Sequence, residues 1–437
     1  MYIFQIQIEY YIKLYSLGFI FGTMQKIRNS IDNINSYLLM LTAFFLPLTV
    51  FGGNFFAVLI FLLWIIKADF KSDFHRLKNN KLIIAVFLYL LVHVIALLWT
   101  ADIESGLWTL KKQLKFLFIP IFMLFAKREH VKYYILAFLT SMSLSEIWSY
   151  GIFFQLLPLY GGATLSDPIP LMSHITYNPF LAIAIYLLSY YVLFDHSNSK
   201  LKKLTYSFFI VTMSINMFIT GGRAGQIMYF AMLVVLVFQY FPKNIFKAFL
   251  ISSIIVAVTS STFYINSEIF SDRVDVAVKE LSDYKNHTHS STGIRISATI
   301  NSWDIIKENP LIGVGTGDYR TEFIKFSDKN ELSLTTFRNG VMTYNPHNMY
   351  ILTLVQFGLI GLLALLYMFY TQIKIATHSN EEFVRKIGIA LPLLYLLIML
   401  SDSYLMVHMT GLLFIFISSF VYKDYEADKQ YRLKTVK

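Results

Sequence analysis

The chain has 437 residues and a net charge of +10; 56% of its residues are hydrophobic, only 15% are charged, and its mean hydropathy is +0.55. A soluble domain of this length does not need so much apolar surface, so the composition predicts an all-α polytopic membrane protein. The apolar runs are continuous rather than alternating, which argues against a membrane β-barrel. The chain has no cysteine, which excludes disulfides, thiolate chemistry and cysteine metal sites.

The first 35 residues are predicted to form a cytoplasmic or interfacial segment. Residues 1–23 are apolar and aromatic, but Glu9 and Lys13 interrupt them and no clear signal-peptide cleavage site follows. This pattern indicates an interfacial helix or a stretch upstream of a functional start at Met24. We therefore expect residues 1–23 to be dispensable.

About twelve apolar runs follow, and each is close to the length of a membrane span. Nine transmembrane helices are predicted in residues 36–265 and three in residues 347–422. Between the two groups lies a large, mostly helical loop at residues 266–346, and residues 423–437 form a tail. The predicted spans are 36–51, 53–67, 82–99, 110–126, 132–157, 175–194, 204–220, 224–241, 245–265, 347–372, 385–400 and 404–422.

Lysine and arginine are distributed unevenly between the connections. If the N-terminus is cytoplasmic, the cytoplasmic side holds 23 of the 37 Lys and Arg residues, counting Lys67 at the end of the second span. The opposite connections TADIESG and PLYGGATLSDPIP have none. Basic residues stay in the cytoplasm, so this pattern predicts a cytoplasmic tail and places the loop at residues 266–346 on the opposite side of the membrane. Because topology explains the basic excess, no nucleic-acid partner is predicted.

Four cations outside the loop break this pattern. Lys111, Lys112 and Lys115 open the fourth predicted span, with Lys111 and Lys115 one helical turn apart, and they suit either a substrate site or an anchor to lipid phosphate. Arg223 lies in the turn ITGGRAGQI between two spans. Ionisable residues in or near the membrane commonly belong to a functional site, although an arginine at a span end can also extend to the membrane surface.

The loop contains a predicted amphipathic helix from about Gly293 to Lys307, with Arg295 in its first turn. Asn309 and Pro310 end this helix, and the glycines of GVGTGD indicate a turn. The turn is not a phosphate loop, because no strand precedes it and the Lys-Ser/Thr pair is missing. His287 and His289 lack a third ligand, so no metal site is predicted there.

A long apolar helix begins near His347, which is therefore expected at the membrane surface beside the loop. Two arginines, Arg223 and Arg295, suit a diphosphate because each planar guanidinium donates two hydrogen bonds at once. A neutral imidazole suits a general base. ATP is not expected outside the membrane, so the donor must arrive activated, as on a lipid diphosphate. These residues predict attack by a hydroxyl on a carbon bonded to a lipid-linked diphosphate, without a metal or cofactor. Asn348 is predicted to orient the imidazole or the acceptor.

Three segments resemble the O-antigen ligase family. His347-Asn348 is followed after nine residues by Gly358-Leu359-Ile360-Gly361, which is similar to the family's histidine motif. GIRISATINSWDIIKENPLIGVGTGDY and ITGGRAGQI resemble its loop segment and its arginine motif. The resemblance implies that Arg223 and Arg295 bind the diphosphate of an undecaprenyl-diphosphate-linked glycan, that His347 activates the acceptor, and that transfer inverts the sugar. Gln356 departs from the family, where many members carry glutamate.

The resemblance leaves more than one activity open. The first is ligation of the glycan to lipid A-core in lipopolysaccharide biosynthesis. The alternatives are an O-antigen polymerase that extends the lipid-linked glycan and a protein O-oligosaccharyltransferase. A transporter or flippase is disfavoured, because the chain shows neither repeated halves nor charges near the membrane midplane.

Overall fold

The computed structural model describes residues 2–282, 290–329 and 345–435. Within these ranges the protein is helical, and no β-strand is formed. The helices, labelled in chain order, are α1 (Tyr2–Phe45), α2 (Val50–Lys67), α3 (Phe70–Leu77), α4 (Lys81–Ile95), α5 (Ile103–Gln113), α6 (Phe118–Phe125), α7 (Val131–Phe153), α8 (His174–Leu193), α9 (Lys200–Ile219), α10 (Arg223–Tyr240), α11 (Ile245–Asn266), α12 (Glu268–Ser282), α13 (Ser291–Glu308), α14 (Tyr319–Lys329), α15 (Met349–Thr377), α16 (Glu382–Ile398), α17 (His408–Val421) and α18 (Tyr425–Thr435).

Six helices of the described chain are long and apolar enough to cross a membrane. They are α2, α4 with its short 3₁₀ extension, α8, α10, α11 and α15. Each coincides with a predicted span, so the helical membrane architecture agrees with the sequence. The count of twelve is not reproduced: α6, α16 and α17 have 8, 17 and 14 residues. A 14-residue helix is about 21 Å long, whereas the hydrocarbon core is about 30 Å thick.

The first two predicted spans are divided at a different point. The sequence places the break at Gly52-Gly53, but α1 ends at Phe45 and α2 begins at Val50, with Pro47 in the turn. Proline interrupts a helix because it lacks the backbone donor. The two glycines instead lie buried inside α2, where a Cβ atom at Gly52 would be 2.8 Å from the Cβ atom of Phe45. They allow α2 to pack closely against the end of α1.

The fourth predicted span, residues 110–126, is not one continuous helix. Residues Leu114–Leu117 form a 3₁₀ turn between α5 and α6, and α6 is only about 12 Å long. Lys111 and Lys112 therefore end α5, whereas Lys115 belongs to the 3₁₀ turn. The predicted stacking of Lys111 over Lys115 on one helix is wrong.

The centre of the helical bundle is formed by α8 and α17. Every residue of α17 from Met409 to Val421 is buried, and α8 is buried almost throughout. Both helices are apolar around their full circumference, as expected for helices surrounded by other helices. The more exposed helices, such as α11 and α2, surround this core.

The connections between the helices meet in two separate groups. On one face, which we call the basic face, Lys67 bonds Asp32 and Asp73, and Arg76 bonds Asp73 and Asp428. On the other face, which we call the loop face, residues 100–102 bond residues 316–318, Asn345 bonds Asp402 after α16, and Asp167 bonds Gly221 before α10.

A break in α15 fixes the glycine turn after α13 on the loop face. Gly358 has non-helical backbone angles, with φ of 59° and ψ of −155°. Residues Pro310–Gly317, which we call the docked turn, enter this break: Leu359 N–H donates to the Pro310 carbonyl at 2.8 Å, and Val314 N–H donates to the Val355 carbonyl at 2.9 Å. The turn therefore takes hydrogen bonds that the helix gives up at its break.

Glycine is required on both sides of this contact. A Cβ atom at Gly358 would lie 2.3 Å from the carbonyl carbon of Leu311, and one at Gly313 would lie 2.3 Å from the carbonyl carbon of Gln356. Both glycines also have positive φ, which side chains disfavour. Gln356 accepts a hydrogen bond from Gly317 N–H at 2.7 Å. The glycine motif after the histidine therefore has a docking role in the fold.

Candidate functional site

His347 forms a pair with Asp402, a residue that the sequence analysis treated only as part of a break between spans. The imidazole Nδ1 lies 3.1 Å from Asp402 Oδ2. The His347 side chain is 29% exposed, whereas the Asp402 side chain is 7% exposed. One member of the pair is thus accessible to a ligand and the other is held in the protein.

The backbone around His347 is fixed by hydrogen bonds to the connection between α16 and α17. Asn345 Oδ1 accepts the His347 N–H at 2.6 Å, and Asn345 Nδ2 donates to Asp402 Oδ1 at 3.3 Å. Ser403 donates to both side chains, through its hydroxyl to Asn345 and through its N–H to Asp402. His347 itself has a φ of +52°, a conformation that is uncommon outside glycine and is found at functional positions.

Asn348, which the sequence predicted to orient the ring or the acceptor, is the N-cap of α15. Its side-chain oxygen accepts from the N–H groups of Tyr350 and Ile351 at 2.9 and 3.1 Å, and its amide nitrogen donates to the Leu400 carbonyl at 3.2 Å. The helix therefore begins at Met349, and His347 precedes the cap instead of occupying the first turn. Asn348 acts on the histidine through the backbone, because its side-chain oxygen caps the helix and its amide nitrogen bonds Leu400.

The charge of Asp402 sets the tautomer of His347. Burial acts to raise the pKa of this carboxyl, but the hydrogen bond and charge of His347 and the bonds from Ser403 and Asn345 outweigh it and lower the pKa. An ionised carboxylate only accepts hydrogen bonds, so Nδ1 of His347 carries the proton that it donates. In the neutral ring Nε2 then has a lone pair available to take a proton.

Arg223 and Arg295 lie in one cluster with a third arginine, Arg273 on α12. Arg223 begins α10, and its Nη1 lies 3.7 Å from Oε2 of Glu280. The positive charges of Arg273 and Arg295 both act on Arg223. Arginines repel one another, so three of them in one place point to an anionic ligand.

Arg295 also connects this cluster to the histidine pair. Its charge acts on the hydroxyl group of Tyr404, which is buried two residues after Asp402. The structure therefore places Arg295 near both Arg223 and Tyr404, on the face that also holds His347. Arg273 was not predicted as a site residue, because arginine is common in polar loops. Nothing in the sequence indicates that its guanidinium lies close to Gly221.

A second histidine–carboxylate pair lies beside the arginines. His174 Nδ1 and Asp167 Oδ2 are 2.7 Å apart, and Asp167 Oδ1 accepts the Gly221 N–H at 2.8 Å. A Cβ atom at Gly221 would lie 3.0 Å from Nη2 of Arg273. Burial acts to raise the pKa of Asp167, but these bonds and the charge of Arg273 lower it. The glycine therefore allows the guanidinium and the carboxylate to approach the turn closely.

The three lysines do not act as a unit. Lys115 is buried, donates to the carbonyl groups of Met406 and Val407, and occupies space that a side chain at Gly411 would fill. Lys112 is exposed, and its Nζ lies 3.3 Å from the centroid of the Trp108 ring. Lys111 is exposed at the end of α5. Of the trio, only Lys112 borders a cleft that reaches the histidine pair.

Metal ligands are not grouped in the described chain: no three or more His, Asp or Glu side chains are arranged to hold an ion. His287 and His289 lie outside the described residues.

Comparison with known proteins identifies the segment that holds the arginines and the histidine. Residues 208–366 match the model of a protein family described as O-antigen ligase. The match confirms the resemblance deduced from the motifs and indicates a membrane glycosyltransferase-like function. The matched segment contains Arg223, Arg273, Arg295 and His347, whereas Asp402 and the lysines lie outside it.

A relative extends the similarity beyond the matched segment. The chain is 25% identical over 396 residues to an uncharacterized protein of Haemophilus influenzae, across 86% of this chain and 95% of that protein. The two proteins are thus alike over nearly their whole lengths.

Proposed function

We propose that the protein transfers a glycan from undecaprenyl diphosphate to a hydroxyl group of lipid A-core at the periplasmic face of the inner membrane. The observation that carries this proposal is the His347–Asp402 pair, with its accessible imidazole, on the same face as a cluster of three arginines of which Arg295 acts on Tyr404. Transfer from a lipid diphosphate requires a base that activates the acceptor and cations that bind the diphosphate.

His347 is the general base. A sugar hydroxyl is a weak nucleophile until its proton is removed, and a positioned base accelerates such a step by about 100- to 10,000-fold. Asp402 holds the proton on Nδ1, so that Nε2 of His347 receives the acceptor's proton. The imidazolium formed is then stabilised by the adjacent carboxylate, as in other His–Asp pairs.

The arginines bind the diphosphate and stabilise it as it leaves. The acceptor oxygen forms a bond to the anomeric carbon, the bond from that carbon to the diphosphate oxygen breaks, and the electron pair departs with undecaprenyl diphosphate. Arg223, Arg273 and Arg295 offset the negative charge that develops on the leaving oxygen. Glu280 lies against Arg223 and orients its guanidinium when no ligand is bound.

The location follows from the charge distribution. The basic face carries most of the lysines and arginines, as expected of cytoplasmic connections, so the loop face with His347 is periplasmic. Lipid-linked glycans are already activated, and transfer at this face needs no nucleotide. The partners are the lipid-linked donor, the glycan acceptor and the surrounding membrane lipids.

Substitution of His347 by alanine tests this proposal. Purified His347→Ala should lose transfer of glycan from the lipid-linked donor, by at least about 100-fold, and cells carrying it should accumulate that donor. His378→Ala is a matched control, because this histidine lies at the other end of the same helix and bonds only local groups. Transfer at a near-normal rate by folded His347→Ala across pH 6 to 8 would refute the assignment.

The phenotype of a deletion separates the proposed ligation from polymerisation. Loss of a ligase leaves long polymer on undecaprenyl diphosphate, whereas loss of a polymerase leaves lipopolysaccharide with a single repeat. We expect the first phenotype. The second phenotype would indicate that the same reaction uses a lipid-linked glycan as its acceptor.

A further inference from the structure

A cleft of about 580 Å³ opens on the loop face beside the histidine pair. Its walls come from α5, from the residues around the beginning of α14 and from the first two turns of α15. Pockets of this size hold small ligands or a short segment of a larger one. Arg320 lines it, but none of the three clustered arginines does, so the cleft is distinct from the proposed diphosphate site.

Asn345 joins the cleft to the proposed base. Its side chain lines the cleft, accepts the His347 N–H and donates to Asp402. A ligand lying in the cleft therefore contacts a residue that is bonded to both members of the histidine pair. Leu352 and Met406 form the apolar part of the wall at this end.

The cleft presents an aromatic ring together with hydrogen-bonding groups. Trp108 is 52% exposed, and Lys112 lies on one face of its indole and restrains it. Aromatic faces are electron-rich and attract the polarised C–H groups on the flat side of a sugar ring. An exposed tryptophan held by a neighbouring side chain is thus a suitable platform for a saccharide.

Carboxylates and amides surround this ring. Asp102 and Glu104 line the cleft as acceptors, and Asp102 is held in place by bonds from the N–H and hydroxyl of Ser105. Gln356 uses its oxygen to accept the Gly317 N–H, which leaves its amide hydrogens for donation. Sugar hydroxyls both donate and accept, and this mixture of planar polar groups can satisfy both roles.

We propose that this cleft binds the sugar chain of the acceptor, with Trp108 as its stacking platform. The inference rests on the proposed function and specifies how its second substrate is held. In a displacement that inverts the sugar, the attacking hydroxyl approaches from the side opposite the leaving diphosphate. The arginines come from α10, α12 and α13, whereas the cleft comes from α5, α14 and α15, so the two substrates have separate sites. Asn345 links the cleft to His347.

Binding without turnover tests the cleft directly. The probe is labelled core oligosaccharide, released by mild acid from the producing strain's lipopolysaccharide and measured by equilibrium dialysis against the purified full chain. Trp108→Ala should weaken its binding about 10-fold, and Trp108→Phe should restore most of the affinity. Trp303→Ala is the matched control, because Trp303 is 51% exposed on α13 and does not line the cleft.

Kinetics provide the second measurement. With donor saturating, Trp108→Ala should raise the KM for the acceptor about 10-fold while kcat and the KM for the donor stay close to wild type. A rise in the donor KM instead would overturn the acceptor assignment. Unchanged oligosaccharide binding in Trp108→Ala would also overturn it, because a tryptophan that only anchors the protein at the membrane surface predicts that result.

The two proposals can fail independently. Oligosaccharide binding that depends on Trp108, in a protein that transfers no glycan, would refute the transferase function and leave the saccharide site. Transfer that depends on His347 but not on Trp108 would refute the cleft and leave the transferase function.

Discussion

Replacement of Asp402 by asparagine should inactivate the protein, because it stabilises the His347 tautomer that carries its proton on Nε2. In the native site, Asp402 Oδ1 accepts from Ser403 N–H at 2.6 Å and from Asn345 Nδ2 at 3.3 Å, while Oδ2 faces His347 Nδ1. The amide oxygen of an asparagine would occupy the Oδ1 position, because two donors point there. Its NH₂ group would then face His347 and donate to Nδ1.

The expected loss follows from this exchange of roles. With Nδ1 accepting, the proton of the neutral ring moves to Nε2, where the acceptor hydroxyl needs a lone pair. General-base assistance is worth about 100- to 10,000-fold, and the same substitution in the serine protease triad costs about 10,000-fold through the tautomer. Asp402→Asn should therefore lower kcat nearly as much as His347→Ala, with a far smaller effect on the donor KM.

The assay is transfer of glycan from purified lipid-linked donor, with thermal unfolding of each variant measured in the same detergent. Asp304→Asn is a suitable control, because Asp304 bonds Lys307 on exposed α13 and has no part in the pair. If folded Asp402→Asn transfers glycan at more than about a tenth of the wild-type rate, compared with the losses expected above, the carboxylate does not set the tautomer and the pair has no catalytic role.

Three further predictions address the arginines, the docked turn and the topology. Arg223→Lys and Arg295→Lys should each slow transfer by about 100-fold or more, because lysine keeps the charge but loses the planar fork; near-normal rates in both would remove them from diphosphate binding. Gly358→Ala should reduce the thermal stability more than Gly161→Ala. Both glycines have positive φ, but only at Gly358 would the added Cβ atom lie against backbone, 2.3 Å from the carbonyl carbon of Leu311. Equal effects would mean that the docked turn moves aside at little cost in stability. A cysteine at Ser327 should react with an impermeant maleimide from the periplasmic side, and reaction only after the inner membrane is permeabilised would invert the topology.

The sequence predicted the helices better than the ends of those helices. Apolar runs mark where helices form, because burial in lipid or protein requires a continuous apolar surface. They do not mark breaks inside an apolar run: Gly52-Gly53 was taken as a break and packs inside a helix, whereas Gly358 was taken as helical and interrupts α15. A glycine can serve close packing or a turn, and only its neighbours in space decide which.

The site was predicted in part for a similar reason. Arg223 and His347 stood out because ionisable groups at the ends of apolar runs are unusual. Asp402 lies between two serines in a connection, where an acidic residue is unremarkable, and 55 residues separate it from His347 along the chain. Its signal was present but weak: a lone carboxylate between two predicted spans, on the face that carries few cations. His174 and Asp167 gave no comparable signal.

Helix α15 determines the positions of both the proposed base and one arginine. His347 lies just before its N-cap, and the break at Gly358 receives the docked turn. That turn begins two residues after α13 ends at Glu308, and α13 carries Arg295. The distance between His347 and Arg295 therefore depends on two features. One is the length of α15 before its break, about two and a half turns. The other is the packing of the docked turn against Gly358 at that break. It follows that Gly358→Ala should lower activity by displacing Arg295 relative to His347, although Gly358 itself does not line the cleft. The signature of this positioning effect is a raised KM for the lipid-linked donor.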